Sequence, residues 1–331
     1  MDNWVAVTGA CGYIGGQTVL KFKDNGYKVI GVDRSATASS WIQQACDVFI
    51  LGDFTNLMFI LNVVNNNVEA IIHCAGTSLV GPSIKDPAQY YINNVGNTAK
   101  LLGTLYENKW KGTFVYSSSA AVYGDPVPGP VTETSTKIPV SPYGHSKLMA
   151  EQVIRDCALA YGVKAFSLRY FNACGADLQT RHGQLKQATH LIARIMESAL
   201  NKSVFTLNGD SYDTPDGTCV RDYLHVDDIA YAHYLCVRYA QTMAEGSCEE
   251  FNLGSGKGAS IREIIAGVEK HVPTTVLVHK GPRRAGDPAM LIASHHKVLS
   301  HMGWNPLNSD IDKIISSAWA WYNSDRFKDR A

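Results

Sequence analysis

An excess of charge of either sign is missing from this chain. Thirty Lys and Arg stand against thirty Asp and Glu, a formal net charge of zero over 331 residues. A nucleic-acid binder carries a basic footprint, and none stands out here. Long apolar runs are missing as well: no segment approaches the ~18 consecutive apolar residues that a membrane-spanning helix needs. No C-x-x-C pair occurs. The eight cysteines are scattered (Cys11, Cys46, Cys74, Cys157, Cys174, Cys219, Cys236, Cys248) and read as reduced thiols. Internal repeats, low-complexity tracts and a Pro/Ser linker are all lacking, so no independent second domain is expected. The first strand-like run starts at Trp4, which leaves no room for a signal or transit peptide. The expectation is a cytoplasmic protein with neither nucleic acid nor membrane as partner.

What is present is globular material, 45% apolar and 18% charged. Short β-branched runs at Trp4–Thr8, Lys28–Val32, Val48–Leu51, Ala70–His73, Thr113–Ser117 and Lys164–Arg169 read as strands. Helix-length segments near 13–25, 54–66, 86–108 and 143–161 separate them. That alternation predicts βαβ units and an α/β fold with a doubly wound parallel sheet covered on both faces. Beyond about residue 172 the rhythm weakens. Loops at 174–186, 208–219 and 279–289 alternate there with helical patterns near 187–201, 227–244, 260–271 and 310–323, predicting a smaller second region.

Gly9-Ala10-Cys11-Gly12-Tyr13-Ile14-Gly15 follows the first strand and opens a helix. Gly9 suits a tight turn, Gly12 lets backbone approach a pyrophosphate, and Gly15 lets the helix pack close. The helix end at Tyr13 and Ile14 then faces the negative charge. Asp33 ends the second strand about twenty residues on, where a carboxylate accepts from ribose hydroxyls and repels a 2′-phosphate, favouring NAD over NADP. Arg34 beside it pulls the other way. Asp53 and Phe54 either flank the adenine or serve as a helix cap and a core residue.

Tyr143 and Lys147 stand at i and i+4, neighbours on one helix face. Ser117-Ser118-Ser119 ends the preceding strand, at the carboxyl edge where parallel sheets bind ligands. A hydroxyl, a phenol whose pKa a nearby cation lowers, and a dinucleotide together suggest hydride and proton transfer at an alcohol carbon. His295, His296 and His301 do not make a metal site, because neighbours on a helix point about 100° apart. No metal is expected.

With these residues in place the chain resembles the extended short-chain dehydrogenase/reductases, Rossmann-type proteins. Within them it is similar to the UDP-galactose (UDP-glucose) 4-epimerases. The segments that narrow it are Asp86–Val95, Arg169-Tyr170-Phe171-Asn172, Asp216–Val226 and Arg283–Asp287. The resemblance implies an NAD-binding region over 1–172, rejoined by later chain at about 220–255, and a mainly UDP-sugar-binding region over 173–331. It implies Ser119, Tyr143 and Lys147 as catalytic, and Ala75, Gly76, Asn94, Ser117 and Tyr170 around the cofactor. Asn172, His190 and Leu191 are implied to touch the sugar nucleotide, and Arg221 and Arg284 to neutralise its diphosphate. Asp287 is implied to accept from the uridine ribose, and Leu291 to line the C2 side of the hexose. Relatives form homodimers through helices matching 86–108 and 143–161, where Leu101, Leu102, Leu105, Leu148, Met149 and Val153 lie. Ser78 and Asn208 depart from the family pattern, beside the cofactor and the uracil respectively. The alternatives are another UDP-sugar 4-epimerase (N-acetylhexosamine, pentose or uronate) or a non-catalytic NAD sensor. A dehydratase is disfavoured, because Ala120-Ala121 stand where an acid–base pair is needed.

Overall fold

The computed structural model describes residues 3–35, 40–56, 68–126, 129–185, 189–283 and 287–328. Its largest sheet has seven strands: β1 (Trp4–Thr8), β2 (Lys28–Asp33), β3 (Val48–Leu51), β4 (Val68–His73), β5 (Thr113–Ser119), β6 (Lys164–Tyr170) and, later in the chain, β10 (Cys248–Leu253). They lie in the order β10-β6-β5-β4-β1-β2-β3. β1 pairs in parallel with β2 and β4, β2 with β3, and β4 with β5. The order reverses between β1 and β4, which opens a crevice at the carboxyl ends of those strands. The runs are apolar without alternation because both faces are covered: Val5, Ala6, Val7, Ile71, Ile72, Phe114 and Val115 are wholly buried. This is the expected doubly wound, Rossmann-type α/β architecture.

Helix Tyr13–Asp24 follows β1, and helix Pro142–Tyr161 precedes β6. The expected helix over 86–108 is broken. Asp86 caps a short helix at Pro87–Tyr91, a π-helical turn follows at Ile92–Gly96, and α-helix resumes at Asn97–Glu107. The helix expected over 54–66 falls largely outside the described residues; 54–56 form a 3₁₀ turn. One expectation is corrected. Leu101, Leu102 and Leu105 are at most 2% exposed, packed in the core with Ile71, Phe114 and Ile154. They are the inward face of their helix and offer nothing to a partner subunit.

The chain divides into two units: Met1–Gly124 with Lys137–Arg169 and Ala230–Phe251, and Asp125–Thr136 with Tyr170–Ile229 and Asn252–Ala331. In the second, β9 (Val220–His225) pairs with β7 (Asn172–Cys174), β11 (Gly258–Ser260) and β13 (Met290–Leu291). A separate parallel pair joins β8 (Val204–Asn208) to β12 (Leu277–Gly281). The buried Asp222 carboxylate organises this unit, accepting from the backbone of Ser255, Gly256 and Ala293 and from Ser255 Oγ. No helix among the described residues is long and apolar enough to cross a membrane.

Candidate active site

The first unit gathers most of the candidate residues at the crevice between β1 and β4 and at the end of β5. Gly9 adopts φ +68°, and a Cβ there would lie 2.8 Å from Ala75 N. A Cβ on Gly15 would lie 2.0 Å from Gly9 O, so only glycine lets the helix come this close to the turn. Helix Tyr13–Asp24 has no side-chain cap at Gly12 and no acidic residue in its first turn. Its positive end is left for an outside anion. The Asp33 carboxylate accepts from Cys11 N and Ser35 N, each at 2.9 Å, which holds it at the rim of the same turn. Arg34 turns instead toward Asp53, with Nη1 3.6 Å from Oδ2. Burial acts to raise the Asp53 carboxyl, but bonds from Thr55 and the Arg34 charge hold it below the usual range. Phe54 is 3% exposed and packs edge-on against His73, 4.7 Å between ring centres. Its ring belongs to the core. The turn, the bare helix end and the Asp33 acceptor fit a dinucleotide.

Beneath this turn a buried chain of polar groups fixes the loop after β4. Thr8 Oγ1 is 2.7 Å from His73 Nδ1, His73 Nε2 is 3.2 Å from Thr98 Oγ1, and Ala75 N donates to Thr8 Oγ1. Burial, helped by the Lys147 charge, drives His73 down to about 3, so the ring is neutral. Asn94 lies within the π-helical turn, 1% exposed. Its amide donates to Ser146 Oγ and Thr77 O, and its carbonyl accepts from Thr77 N. Such turns recur at functional sites because the extra residue re-aims a side chain. A Cβ on Gly76 would meet Asn94 Oδ1 at 2.9 Å and Lys147 Nζ at 3.7 Å, so these three residues converge.

Ser119 ends β5 and caps a 3₁₀ turn at Ala120–Val122, its Oγ accepting from Ala121 N. Helix Pro142–Tyr161 begins beside that turn. Ser141 caps it, Pro142 opens it, and a Cβ on Gly144 would lie 2.5 Å from Ala121 O. That contact brings Tyr143, in the first helical turn, to Ser119. Tyr143 is 9% exposed, and the Ser119 hydroxyl lies close enough to act on its phenol. Burial raises the phenol pKa, the Ser119 hydroxyl acts to lower it, and nearby Tyr90 adds to the rise. The expected lowering is therefore not seen in the net: desolvation outweighs the help the phenol receives. Lys147 Nζ donates to Ser117 O at 2.7 Å and lies 4.6 Å over the Tyr116 ring and 5.9 Å from the Tyr143 ring centre. Burial brings Lys147 down to about 8.

The second unit holds the other candidates. Arg221, on β9, donates Nη2 to Asp287 Oδ1 and Pro288 O, both at 2.7 Å, and Nη1 to Val220 O. The two residues implied to hold the diphosphate and the ribose thus pair with each other, leaving further guanidinium N–H groups to give. Leu291 is the register partner of Arg221 and half-buried, on the same local surface of the sheet. Asn172 Nδ2 donates to Asp222 O. His190 and Leu191 stand at the start of helix Leu191–Leu200, and His190 lines a small cavity with Cys174, Gln184 and Trp321. Tyr170 is buried at the end of β6, Ser78 is exposed, and Asn208 is half-buried at the end of β8. Arg284 lies outside the described residues. Reading of the sequence passed over Glu151, bonded to Ser118 and Arg169. Its signal was there, a carboxylate at i+4 from Lys147.

A model of the NAD dependent epimerase/dehydratase family matches residues 5–254. The UDP-glucose 4-epimerase of Halalkalibacterium halodurans is 39% identical over 322 residues, 96% of this chain and 95% of that protein. The solved structure of UDP-glucose 4-epimerase from Brucella ovis, in complex with NAD, matches with a TM-score of 0.90 at 37% identity, covering 96% of this chain and 98% of that one. The enzyme from Bifidobacterium longum, in complex with NAD+ and UDP, matches with a TM-score of 0.88 at 33% identity, covering 97% and 98%.

Proposed function

The chain belongs to the NAD dependent epimerase/dehydratase family, and from that premise we infer that it is an NAD-dependent UDP-sugar 4-epimerase interconverting UDP-galactose and UDP-glucose. The observation that carries the reading is Lys147 held on Ser117 O, beside Gly76 and 5.9 Å from the Tyr143 ring centre, at the end of the strand that Ser119 closes. Gly9, Gly12, Gly15 and Asp33 would hold NAD, which would supply reversible hydride acceptance at sugar C4, so no outside redox partner is consumed.

The chain's own residues move the proton. Tyr143 as phenolate takes it from the C4 hydroxyl, directly or through Ser119, and later returns it. Burial opposes the phenolate. The Lys147 ammonium and the positive end of the helix that begins at Pro142 favour it. Arg221, with Arg284, holds the diphosphate while the flat 4-keto sugar turns over, and Asp287 and Asn172 hold the remainder of the nucleotide. Gly76 and Asn94 converge beside Lys147 and would hold the nicotinamide ribose there. Purified protein given UDP-galactose and no added reductant should form UDP-glucose; no conversion would reject the reading.

The same reading puts the protein in the cytoplasm, where its eight cysteines, none in a disulfide, suit a reducing environment. It also makes the protein a homodimer. With the leucines in the core, the apolar groups left outside are Tyr106, Met149 and Leu159, on helices Asn97–Glu107 and Pro142–Tyr161. A monomer by light scattering at micromolar concentration would reject the dimer.

A further inference from the structure

Glu151 takes no part in the chemistry just described, yet its carboxylate is 2% exposed and accepts three hydrogen bonds. It stands four residues beyond Lys147 and eight beyond Tyr143, so the three side chains rise from one face of one helix. Ser118 Oγ donates to Oε1 at 2.5 Å, and Arg169 Nε donates to the same oxygen at 2.9 Å. Arg169 Nη2 donates to Oε2 at 2.7 Å, and Nη1 donates to Tyr123 OH at 2.8 Å. Ser118 sits between Ser117, whose carbonyl holds Lys147, and Ser119, which meets Tyr143. Tyr123 follows the 3₁₀ turn that Ser119 caps. One carboxylate therefore joins helix Pro142–Tyr161 to the end of β5, to the turn after it and to β6.

A buried ion pair is poor evidence of stability, because desolvation offsets the attraction. What this pair holds explains its placement better. We propose that Glu151 is a positioning residue: through Ser118 and Arg169 it fixes the end of β5 against the helix face bearing Tyr143 and Lys147, and its charge favours the Lys147 ammonium. The catalytic half of this rests on the 4-epimerase reading; the electrostatic half does not. Lys147 is faced by His73 and Cys74 from the β4 side, by Tyr116 from β5, and by Tyr143 and Glu151 from its own helix. Of these, Glu151 is the one carboxylate. Burial pulls Lys147 down, while Cys74 and Glu151 hold it up. Around Glu151 itself stand Arg169, Lys137, Arg155, Tyr116 and Cys248.

Two variants of the NAD-loaded protein test this. Ser118→Ala cuts the link to the strand and leaves the ion pair intact. Its kcat for UDP-galactose should fall on the order of 10²-fold, the cost of about 1 Å of misplacement, with KM, NAD content and melting temperature near parental values. In Glu151→Gln the ammonium loses its anion, so Lys147 gives up its proton more easily. The alkaline limb of kcat should move down by roughly one pH unit. The pH profile of Lys147 acetylation by acetic anhydride, read by mass spectrometry, should move the same way. Parental kcat in Ser118→Ala overturns the positioning role, and it decides the matter alone if Glu151→Gln does not fold. An unmoved Lys147 profile in folded Glu151→Gln overturns the electrostatic role. A parent protein without epimerase activity rejects the 4-epimerase reading instead, and the labelling profile still judges Glu151.

Discussion

Tyr143 and Lys147 are both held at an energetic disadvantage, and that is the clearest mark of a working site at the scale of single residues. Burial raises the phenol and brings the ammonium down to about 8. Tyr143→Phe deletes the titrating hydroxyl and nothing else of size. Its turnover should drop at least ~10²-fold while UDP affinity, measured by calorimetry, stays close to parental. Lys147→Met separates function from stability. A lysine held at about 8 instead of 10.5 disfavours the fold by about 3 kcal/mol while it is charged. The penalty is complete below about pH 8 and fades as pH rises toward 10.5. Replacing the ammonium removes it, at the cost of the bond to Ser117 O, ~1–3 kcal/mol. Lys147→Met should therefore melt no lower than the parent at pH 7 while losing turnover; a large drop in melting temperature would show the lysine to be structural. Leu291 tests the pocket. It stands beside Arg221 and is smaller than a tyrosine; if it lines the hexose as the 4-epimerase reading implies, UDP-N-acetylgalactosamine should react detectably. Leu291→Tyr should suppress that activity far more than the activity on UDP-galactose. Equal losses would make Leu291 a support of the fold.

At the scale of elements, the site is built by close approaches that only certain residues permit. Gly15 seats one helix on the β1 turn, and Gly144 seats another on the turn after Ser119. Buried histidines hold elements together beneath them. His73 bridges Thr8 and Thr98, and His233 Nδ1 lies 2.8 Å from Thr18 Oγ1, joining two helices of the first unit. Burial keeps both rings neutral down to about pH 3, against 6.5 unfolded. Between those values the unfolded chain binds more protons than the folded one, so stability falls as pH drops from 6.5 to 3. The urea midpoint should decline through that window, and His233→Asn should decline less steeply; parallel curves would contradict the assignment. The strands through β6 were legible because a sheet buried on both faces forces uninterrupted apolar runs. The later strands were not. β8, β12 and β13 are short and partly exposed, so no run of apolar residues marks them. The π-helical turn at Asn94 was hidden because a single extra residue leaves the helical pattern almost unchanged. Tyr143, Lys147 and Ser119 were visible through spacing and order along the chain, whereas the Arg221–Asp287 pair joins residues 66 positions apart.

Across the whole molecule, the first unit carries the glycine turn with Ser119, Tyr143 and Lys147, and the second carries Arg221, Asp287 and Leu291. The family supplies the chemistry that makes sense of both: a sugar oxidised and reduced at the same carbon by a cofactor that is regenerated in every cycle. Zero net charge and the absence of a basic footprint fit the proposed reading, in which a few placed arginines and not a general field would meet the anionic ligand. The central claim is that the hydride removed from C4 is the one returned. Incubating the purified protein, without added nicotinamide, with UDP-galactose deuterated at C4 in ordinary water tests it directly. Mass spectrometry and proton NMR of the product should find UDP-glucose with deuterium still at C4; UDP-glucose carrying solvent hydrogen at C4 would contradict it.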